Sequence, residues 1–368
     1  MSINGCATAE GTASYVSRFL NHVAQNHFRS QQNLWLSSIG IGTYLGGWDE
    51  TTDANYTEAI VRAVELGCNV IDTASNYRFQ RSERSIGKAL LQLNENFKRE
   101  EYLICTKGGY LPFDGAPPTN TRQYVEETFI HTGIAKPEDI VDGSHCMTPA
   151  YLQSQIDQSL HNMNIETIDV YYIHNPESQV GRVPRDEFEN RLRLAFERLE
   201  QNRVEGKIKH YGVATWNGFR TGQNQAGYHS LEKMVEIANE IAGANHGFRF
   251  IQLPLNLAMP EAFALLNQPL KGEMVSTLDA AQDLGVTAIA SASLLQGKVA
   301  TGLPPAMREG IGALPTEAQT AIQFVRSTPN LTTALIGMSR KQHVEENLKL
   351  AEIDPLSVEN YFKLFEQE

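Results

Sequence analysis

The chain has 368 residues, 41% hydrophobic and 20% charged, so it can bury a large core and is not disordered in composition. Thirty-one basic residues against 43 acidic ones give a net charge of −12, which argues against a general binder of nucleic acid or of anionic membranes while leaving room for a local basic pocket that holds a phosphate. No run approaches the roughly 18 apolar residues of a membrane span.

The N-terminal stretch lacks the charged-then-apolar pattern of a secretory signal. Cys6, Cys68, Cys105 and Cys146 are scattered with no C-x-x-C, so neither a disulfide framework nor a zinc site is expected. Both features fit a reducing, cytoplasmic setting. Residues 1–35 precede the first strand-like run. Within them Tyr15, Val16, Phe19, Leu20 and Val23 suit one amphipathic helix, expected to pack outside the fold or close its bottom.

From residue 36 to 368 one grammar repeats: a short apolar run, a polar or glycine-bearing turn, then a helix of 3.6-residue period. The runs are Ile39–Thr43, Asn69–Thr73, Tyr102–Lys107, Ile168–His174, His210–Ala214, Phe250–Pro254, Val286–Ala290 and Ala334–Gly337. Helical stripes lie between them, such as Ala59, Ile60, Ala63, Val64 and Leu231, Met234, Val235, Ala238. Gly67, Gly243 and Gly285 stand where helices stop, as left-handed caps do. Eight such units predict an α/β fold, a closed (β/α)8 TIM barrel in a single domain. The missing G-x-G-x-x-G after an early strand argues against a doubly wound alternative. A long stretch from Gly108 to Thr148, rich in Gly, Pro, Asn and Thr, comes after the third run and leaves from the face where barrel active sites lie.

Polar residues at the C-terminal strand ends carry the chemistry. The second run carries Asp72 at its end, before Thr73, with Tyr77 one turn on; the third ends in Lys107 and the fourth in His174. Singly, these would pass as a turn aspartate, a surface tyrosine, a snorkelling lysine and a core histidine. Together they close three consecutive strands and converge on one pocket. An ammonium beside a phenol lowers its pKa, and a carboxylate holds the ammonium in place. Tyr77 is then a proton donor, Lys107 its activator, Asp72 the orienter of Lys107, and His174 the group that fixes a carbonyl oxygen. Protonating a carbonyl oxygen is half of a reduction. The hydride is the other half, and side chains cannot supply it, so a nicotinamide cofactor is implied.

The segments NVIDTASNY with SERSIGKAL, ICTKGG, DVYYIHNPE, GTYLGG and GMSRKQHVEENLKLA resemble aldo-keto reductases, in the family's order, from about residue 34 to 353. The resemblance implies a (β/α)8 barrel using NADP(H), with NAD(H) possible, and the catalytic tetrad Asp72, Tyr77, Lys107 and His174. It implies that Gly337, Met338, Ser339, Arg340 and His343 hold the adenosine 2′-phosphate end, and that Glu346 and Asn347 meet the adenine. Gly42, Thr43, Asp72, Thr215, Gln252, Ser291 and Leu294 complete the expected cofactor contacts.

Three departures stand out. His343 falls where many members carry a second arginine. Gly212-Val213-Ala214-Thr215 replaces the usual Gly-Val-Ser-Asn, and Ser291 stands where an aromatic ring stacks on the nicotinamide. The leading expectation is an NADPH-dependent carbonyl reductase, reversible as an alcohol dehydrogenase. The second is a cofactor-bound redox sensor or interaction protein with little turnover, as some relatives serve channels. The substrate is expected to be a small aldehyde or ketone, with Trp48, Tyr110 and Trp216 lining an aromatic mouth. No metal is expected, His145 and Cys146 lacking partners at ligand spacing. No nucleic acid or membrane partner is expected either, and the pattern sets no oligomeric state.

Overall fold

The computed structural model describes residues 2–366. The N-terminal stripe is helical only as far as α1 (Ala9–Ser17), where Thr8 caps it by accepting the Gly11 N–H. Tyr15 is fully buried and Phe19 and Val23 pack on the core, whereas Leu20 is exposed. The next element carries no signal in the sequence pattern. It is a hairpin of β1 (Phe28–Gln31) and β2 (Leu34–Ser37), paired antiparallel from Phe28–Ser37 to Gln31–Leu34. Gln32 and Asn33 make its two-residue turn, both left-handed, as such hairpin turns require. Leu34 and Leu36 enter the barrel interior against Val70, Leu103, Val170 and Leu335, so the hairpin closes the bottom.

Eight parallel strands form the closed barrel: β3 (Ile39–Gly42), β4 (Val70–Asp72), β5 (Leu103–Gly108), β6 (Ile168–His174), β7 (Ile208–Ala214), β8 (Phe248–Pro254), then β11 and β12 below. Their helices are α2 (Glu50–Glu65), α3 (Arg81–Leu93), the short α4 (Thr121–Val125), α5 (Pro149–Met163), α6 (Arg185–Val204) and α7 (Leu231–Ala242). After β8 come α8 (Glu261–Ala264), a hairpin of β9 (Leu266–Leu270) and β10 (Glu273–Ser276), and α9 (Thr277–Asp283). The last units are β11 (Thr287–Ser291), α10 (Pro305–Ile311), α11 (Glu317–Arg326), β12 (Leu331–Gly337), α12 (Lys341–Asn347) and α13 (Val358–Lys363). β12 closes onto β3 through Ala334–Ile39 to Gly337–Gly42.

Alternation sorts the strands into two cores. Val70, Leu103, Cys105, Val170, Tyr172, Phe250 and Ile289 fill the barrel. Ile71, Ile104 and Ile173 face outward onto helix stripes, among them Ala59, Ile60 and Ala63 of α2 and Leu152 and Ile156 of α5. Gly67, Gly243 and Gly285 are left-handed, at φ +93°, +65° and +66°. At the barrel bottom, Asp169 is buried and accepts from Arg99 (2.6 Å) and from the N–H groups of Ile104 (2.7 Å) and Ala7 (2.6 Å), tying the N-terminal segment to β5 and β6. All four cysteines are free, and no helix among the described residues is long and apolar enough to cross a membrane.

The stretch from Gly108 to Thr148 is an ordered excursion with its own small core of Leu111, Phe129, Ala135, Cys146 and Tyr151. The Cys146 N–H donates to Gly109 O (2.8 Å) and Leu111 N–H to Ser144 O (2.8 Å), returning the loop onto its own base.

Two buried histidines give the fold an acid sensitivity. His27 donates from Nε2 to Gly67 O (2.9 Å) and accepts from Ser38 at Nδ1 (3.2 Å), and burial pulls its pKa down to about 3. Burial pulls His145 down to about 4. Below pH 6.5 the unfolded chain binds protons that the folded chain refuses, so their contribution is present above 6.5 and is lost as pH falls toward these values. Each should cost about 1.4 kcal/mol per pH unit in that window. Urea unfolding at pH 7 and pH 5 should show a lower midpoint at pH 5, and His27→Gln should narrow that difference without removing it, since His145, His174, His210 and His246 are also held below the ordinary histidine value.

Candidate active site

Chain topology brings the strand-end residues to one rim. Lys107, on β5, is 1% exposed, and its Nζ donates to Asp72 Oδ1 (2.6 Å) and to Thr73 O (2.7 Å). Asp72, ending β4, takes a second bond at Oδ2 from Gln252 Nε2 (2.8 Å) on β8. Burial pushes the Asp72 carboxyl above its ordinary range against the pull of Lys107. Burial works against the Lys107 charge, but Asp72 and Tyr77 outweigh it and raise its pKa, so the ammonium is retained.

Tyr77 lies over this pair, with Lys107 Nζ 5.0 Å from its ring centroid. Tyr44 and His174 meet the ring edge-on at 5.0 and 5.8 Å. The sequence led us to expect a lowered phenol pKa, and the net direction is the reverse. Burial raises it first, Lys107 lowers it, and Asp72 raises it again. The carboxylate that holds the ammonium also cancels much of its field, leaving burial dominant.

His174 ends β6. Burial, then Lys107, then His145 push its ring well below the ordinary histidine value, so it is neutral, and its Nδ1 has no protein partner. Its carbonyl accepts from His145 Nε2 (2.7 Å), and Gln179 Nε2 donates to His145 Nδ1 (3.1 Å). His145 is thus a fastener between the long excursion and β6. Cys146 turns instead to Thr148 Oγ1 (3.4 Å).

The loop carrying Tyr77 is strained. Arg78, Phe79 and Gln80 are consecutively left-handed at φ 49°, 57° and 68°. Their side chains hold that shape. Arg78 donates to Gly47 O (2.7 Å) and pairs with Asp53 (2.5 Å), Arg81 pairs with Asp53 (2.6 Å), and Gln80 donates to Phe113 O (3.1 Å).

A cavity of about 790 Å³ opens over these groups. One arc of its wall runs from β3 to β7 and includes Gly42, Thr43, Asp72, Tyr77, Tyr110, His174, Thr215 and Trp216. The other runs along β8, β11 and β12 and includes Gln252, Ser291, Leu294, Gly337, His343, Glu346 and Asn347. Sequence reasoning missed Tyr44, Leu45, Asn76, Asn175 and Gln296, which also line it. Tyr44 and Leu45 sat inside the GTYLGG segment, and Asn76 directly precedes Tyr77, so adjacency was the available signal.

Several predicted contacts lie elsewhere. Met338 is fully buried in the outer core, where only its backbone could face a ligand. Ser339 and Arg340 lie outside the cavity wall, and Arg340 is exposed with no ion pair among the described residues. Trp48 is 54% exposed and leans on Phe79 (5.4 Å) instead of entering the cavity. Gln252 spends its amide N–H on Asp72. After Ser291 the chain turns through left-handed Ala292, Leu295 and Gln296, and this turn offers no aromatic ring.

The Aldo/keto reductase family model matches residues 38–242, more than half of the chain. An L-glyceraldehyde 3-phosphate reductase of Escherichia coli is 27% identical over 346 residues, covering 83% of this chain and 82% of that protein. A Schizosaccharomyces pombe protein, provisionally named a voltage-gated potassium channel subunit beta, is 26% identical and covers 96% of both chains. Among solved structures, the glycerol dehydrogenase of Gluconobacter oxydans superposes with a TM-score of 0.63 at 20% identity, over 93% of this chain and 94% of that one. An aldo/keto reductase from Klebsiella pneumoniae, in complex with NADP and acetate, gives 0.62 at 19% identity over 93% and 94%. At these identities the structural likeness speaks for the (β/α)8 fold alone. The family model, matched across the segments that carry Asp72, Tyr77, Lys107 and His174, places the chain in the aldo/keto reductase family.

Proposed function

We propose that the chain is an NADPH-dependent carbonyl reductase, reversible as an alcohol dehydrogenase, acting on a small aldehyde or ketone. One observation carries this: a charged Lys107–Asp72 pair lies sealed beneath Tyr77 and beside a neutral His174, all at one cavity. The cavity's size is that of a ligand cleft. Thr215 Oγ1 and Asn347 Oδ1 are buried in its wall without a protein partner, which fits groups awaiting the polar atoms of a dinucleotide.

When bound, the nicotinamide supplies the hydride that the carbonyl carbon receives. Tyr77 donates its hydroxyl proton to the carbonyl oxygen. Lys107 stabilises the phenolate left behind, and Asp72 keeps the ammonium in place. A ring N–H of neutral His174 donates to the same oxygen and fixes its direction. The raised pKa of Tyr77 suits the reductive direction, since the phenol stays protonated through neutral pH.

Ser339 and Arg340 do not line the cavity, but they lie in the chain between its lining residues Gly337 and His343, and they are the groups proposed to meet the 2′-phosphate. Quenching of tryptophan fluorescence should report NADPH binding about tenfold more tightly than NADH. Arg340→Ala should narrow that ratio, and equal affinities in the parent protein would remove the preference. A second reading, a sensor that holds cofactor and turns over slowly, draws on Ser291 at the stacking position and on the channel-subunit relative. Retained cofactor with turnover of every aldehyde slower than about one per minute, far below ordinary enzyme rates, would favour it.

A further inference from the structure

The reductase reading leaves the substrate's chemistry open, and the wall around Tyr77 narrows it. The arc that faces the reacting carbonyl is made by Tyr44, Asn76, Tyr110, Asn175 and Trp216, and among the described residues no lysine or arginine lines any part of the cavity. The nearby cations are committed elsewhere. Lys107 is sealed below on Asp72 and Thr73 O. Arg78 turns away to Gly47 O and Asp53. Arg220, past Trp216, is held by Glu261 and by the Trp216 carbonyl.

A carboxylate stands behind this arc, with the buried His229 ring 3.8 Å from it. Glu177 is nearly buried, and its Oε1 accepts from the N–H groups of Trp216 (2.5 Å) and Asn217 (2.9 Å). Burial opposes its charge, but His229 and the Asn217 N–H hold its pKa below the ordinary carboxylate value, so it remains a carboxylate under the loop that carries Trp216. A phosphate or carboxylate on the substrate would be desolvated against aromatic faces with no counter-charge and with a fixed carboxylate behind the wall.

Neutral hydrogen-bonding groups are what the arc offers. Asn76 Oδ1 is inaccessible to water and has no protein donor, although the residue lines the cavity and adjoins Tyr77. With no protein donor on its oxygen, the carboxamide is free to turn toward a substrate hydroxyl. Asn175 donates from Nδ2 to Tyr110 Oη (3.1 Å), which also meets Ser178 Oγ (3.1 Å), so the opposite side is held in a fixed polar network.

We infer that the substrate is an uncharged hydroxy-aldehyde or hydroxy-ketone, its hydroxyl bound by Asn76 and its body resting on the aromatic arc, and that phosphorylated and carboxylated carbonyl compounds are rejected. This rests on the reductase reading. The test measures kcat/KM with NADPH for glyceraldehyde and glyceraldehyde 3-phosphate, and for lactaldehyde and propionaldehyde, on the parent chain and on Asn76→Leu. Glyceraldehyde should exceed its phosphate ester by about a hundredfold, and lactaldehyde should exceed propionaldehyde by about tenfold. In Asn76→Leu the lactaldehyde-to-propionaldehyde ratio should fall to near one. Because this ratio is taken within one enzyme, partial misfolding cancels from it. Turnover of the phosphate ester equal to that of glyceraldehyde overturns the inference while leaving the reductase reading intact, as does an unchanged ratio in Asn76→Leu. Absence of turnover with all four aldehydes overturns both.

Discussion

Replacing Tyr77 with phenylalanine should lower kcat by about 10²–10⁴-fold while NADPH affinity changes by less than about threefold. The substitution removes one hydroxyl and keeps the ring that packs edge-on against Tyr44 and His174. The side-chain partner of that hydroxyl is Lys107, which keeps its bonds to Asp72 and Thr73 O, so the fold loses little. What is lost is the one proton donor at the rim whose neighbours are arranged to receive the charge it leaves. Lys107 alone cannot replace it, because it lies sealed below the wall with two of its three N–H groups held by Asp72 and Thr73 O. His174 is neutral and could donate an N–H, but a neutral imidazole is a much weaker acid than the phenol, which leaves polarisation without protonation. Stopped-flow single turnover would locate the loss in the chemical step, and binding by fluorescence would show that the cofactor end is untouched. Activity within about tenfold of the parent, below the usual contribution of a general acid, would assign the proton to another group.

The pH profile has its origin in the same arrangement. Reduction needs protonated Tyr77, and burial raises its pKa, so kcat for reduction should stay flat through neutrality and fall only on the alkaline side of the ordinary phenol range. The expectation that Lys107 would make this phenol acidic came from pairwise proximity. Three-body geometry reversed it, since the sequence places Asp72, Lys107 and Tyr77 at one rim but does not say that the carboxylate would sit 2.6 Å from the ammonium in so dry a site.

Legibility along the chain divides by the same logic. The eight barrel strands were readable because each is a short apolar run closed by a turn, and the period does not depend on partners. The β1–β2 hairpin was not, because Phe28–Ser37 mixes Arg29, Gln31, Gln32 and Asn33 into its strands and turn, and only the tertiary contact of Leu34 and Leu36 with the barrel interior explains it. Met338 and Trp48 were misplaced for opposite reasons. Position in a motif says which segment borders the site, but the backbone path just past the end of β12 decides which side chain of that segment faces in, and it buries Met338 in the core. Trp48 lies on a loop, where no period fixes direction, and Phe79 captures it. The left-handed run Arg78–Gln80 had no signal at all. Glycine marks such backbone in most chains, and here a clamp on Asp53 holds it instead.

The Lys107–Asp72 pair separates what the site needs for chemistry from what it needs to fold. Lys107→Met keeps the volume and removes the charge. It leaves the Asp72 carboxylate, 3% exposed, with Gln252 as its side-chain donor. The loss should be about 3–5 kcal/mol at pH 7, since an unpaired buried carboxylate is what remains. Its pH dependence has a definite sign. Without the ammonium, the folded-state pKa of Asp72 rises further, while the unfolded value stays near 4. The unfolded chain then releases its proton first, so the destabilisation is small near pH 4 and grows as pH climbs toward the raised folded value. Adding Asp72→Asn should restore most of the stability, because the double variant buries no charge, and it should flatten the pH dependence. Activity should not return: with no ammonium beneath it, Tyr77 has nothing to stabilise its phenolate. Urea unfolding of the parent, the two single variants and the double variant, at pH 5 and pH 8, closes the cycle. A double variant as unstable as the sum of the singles would mean that Lys107 and Asp72 contribute independently, and the phenolate stabilisation built on their pairing would fall with that result.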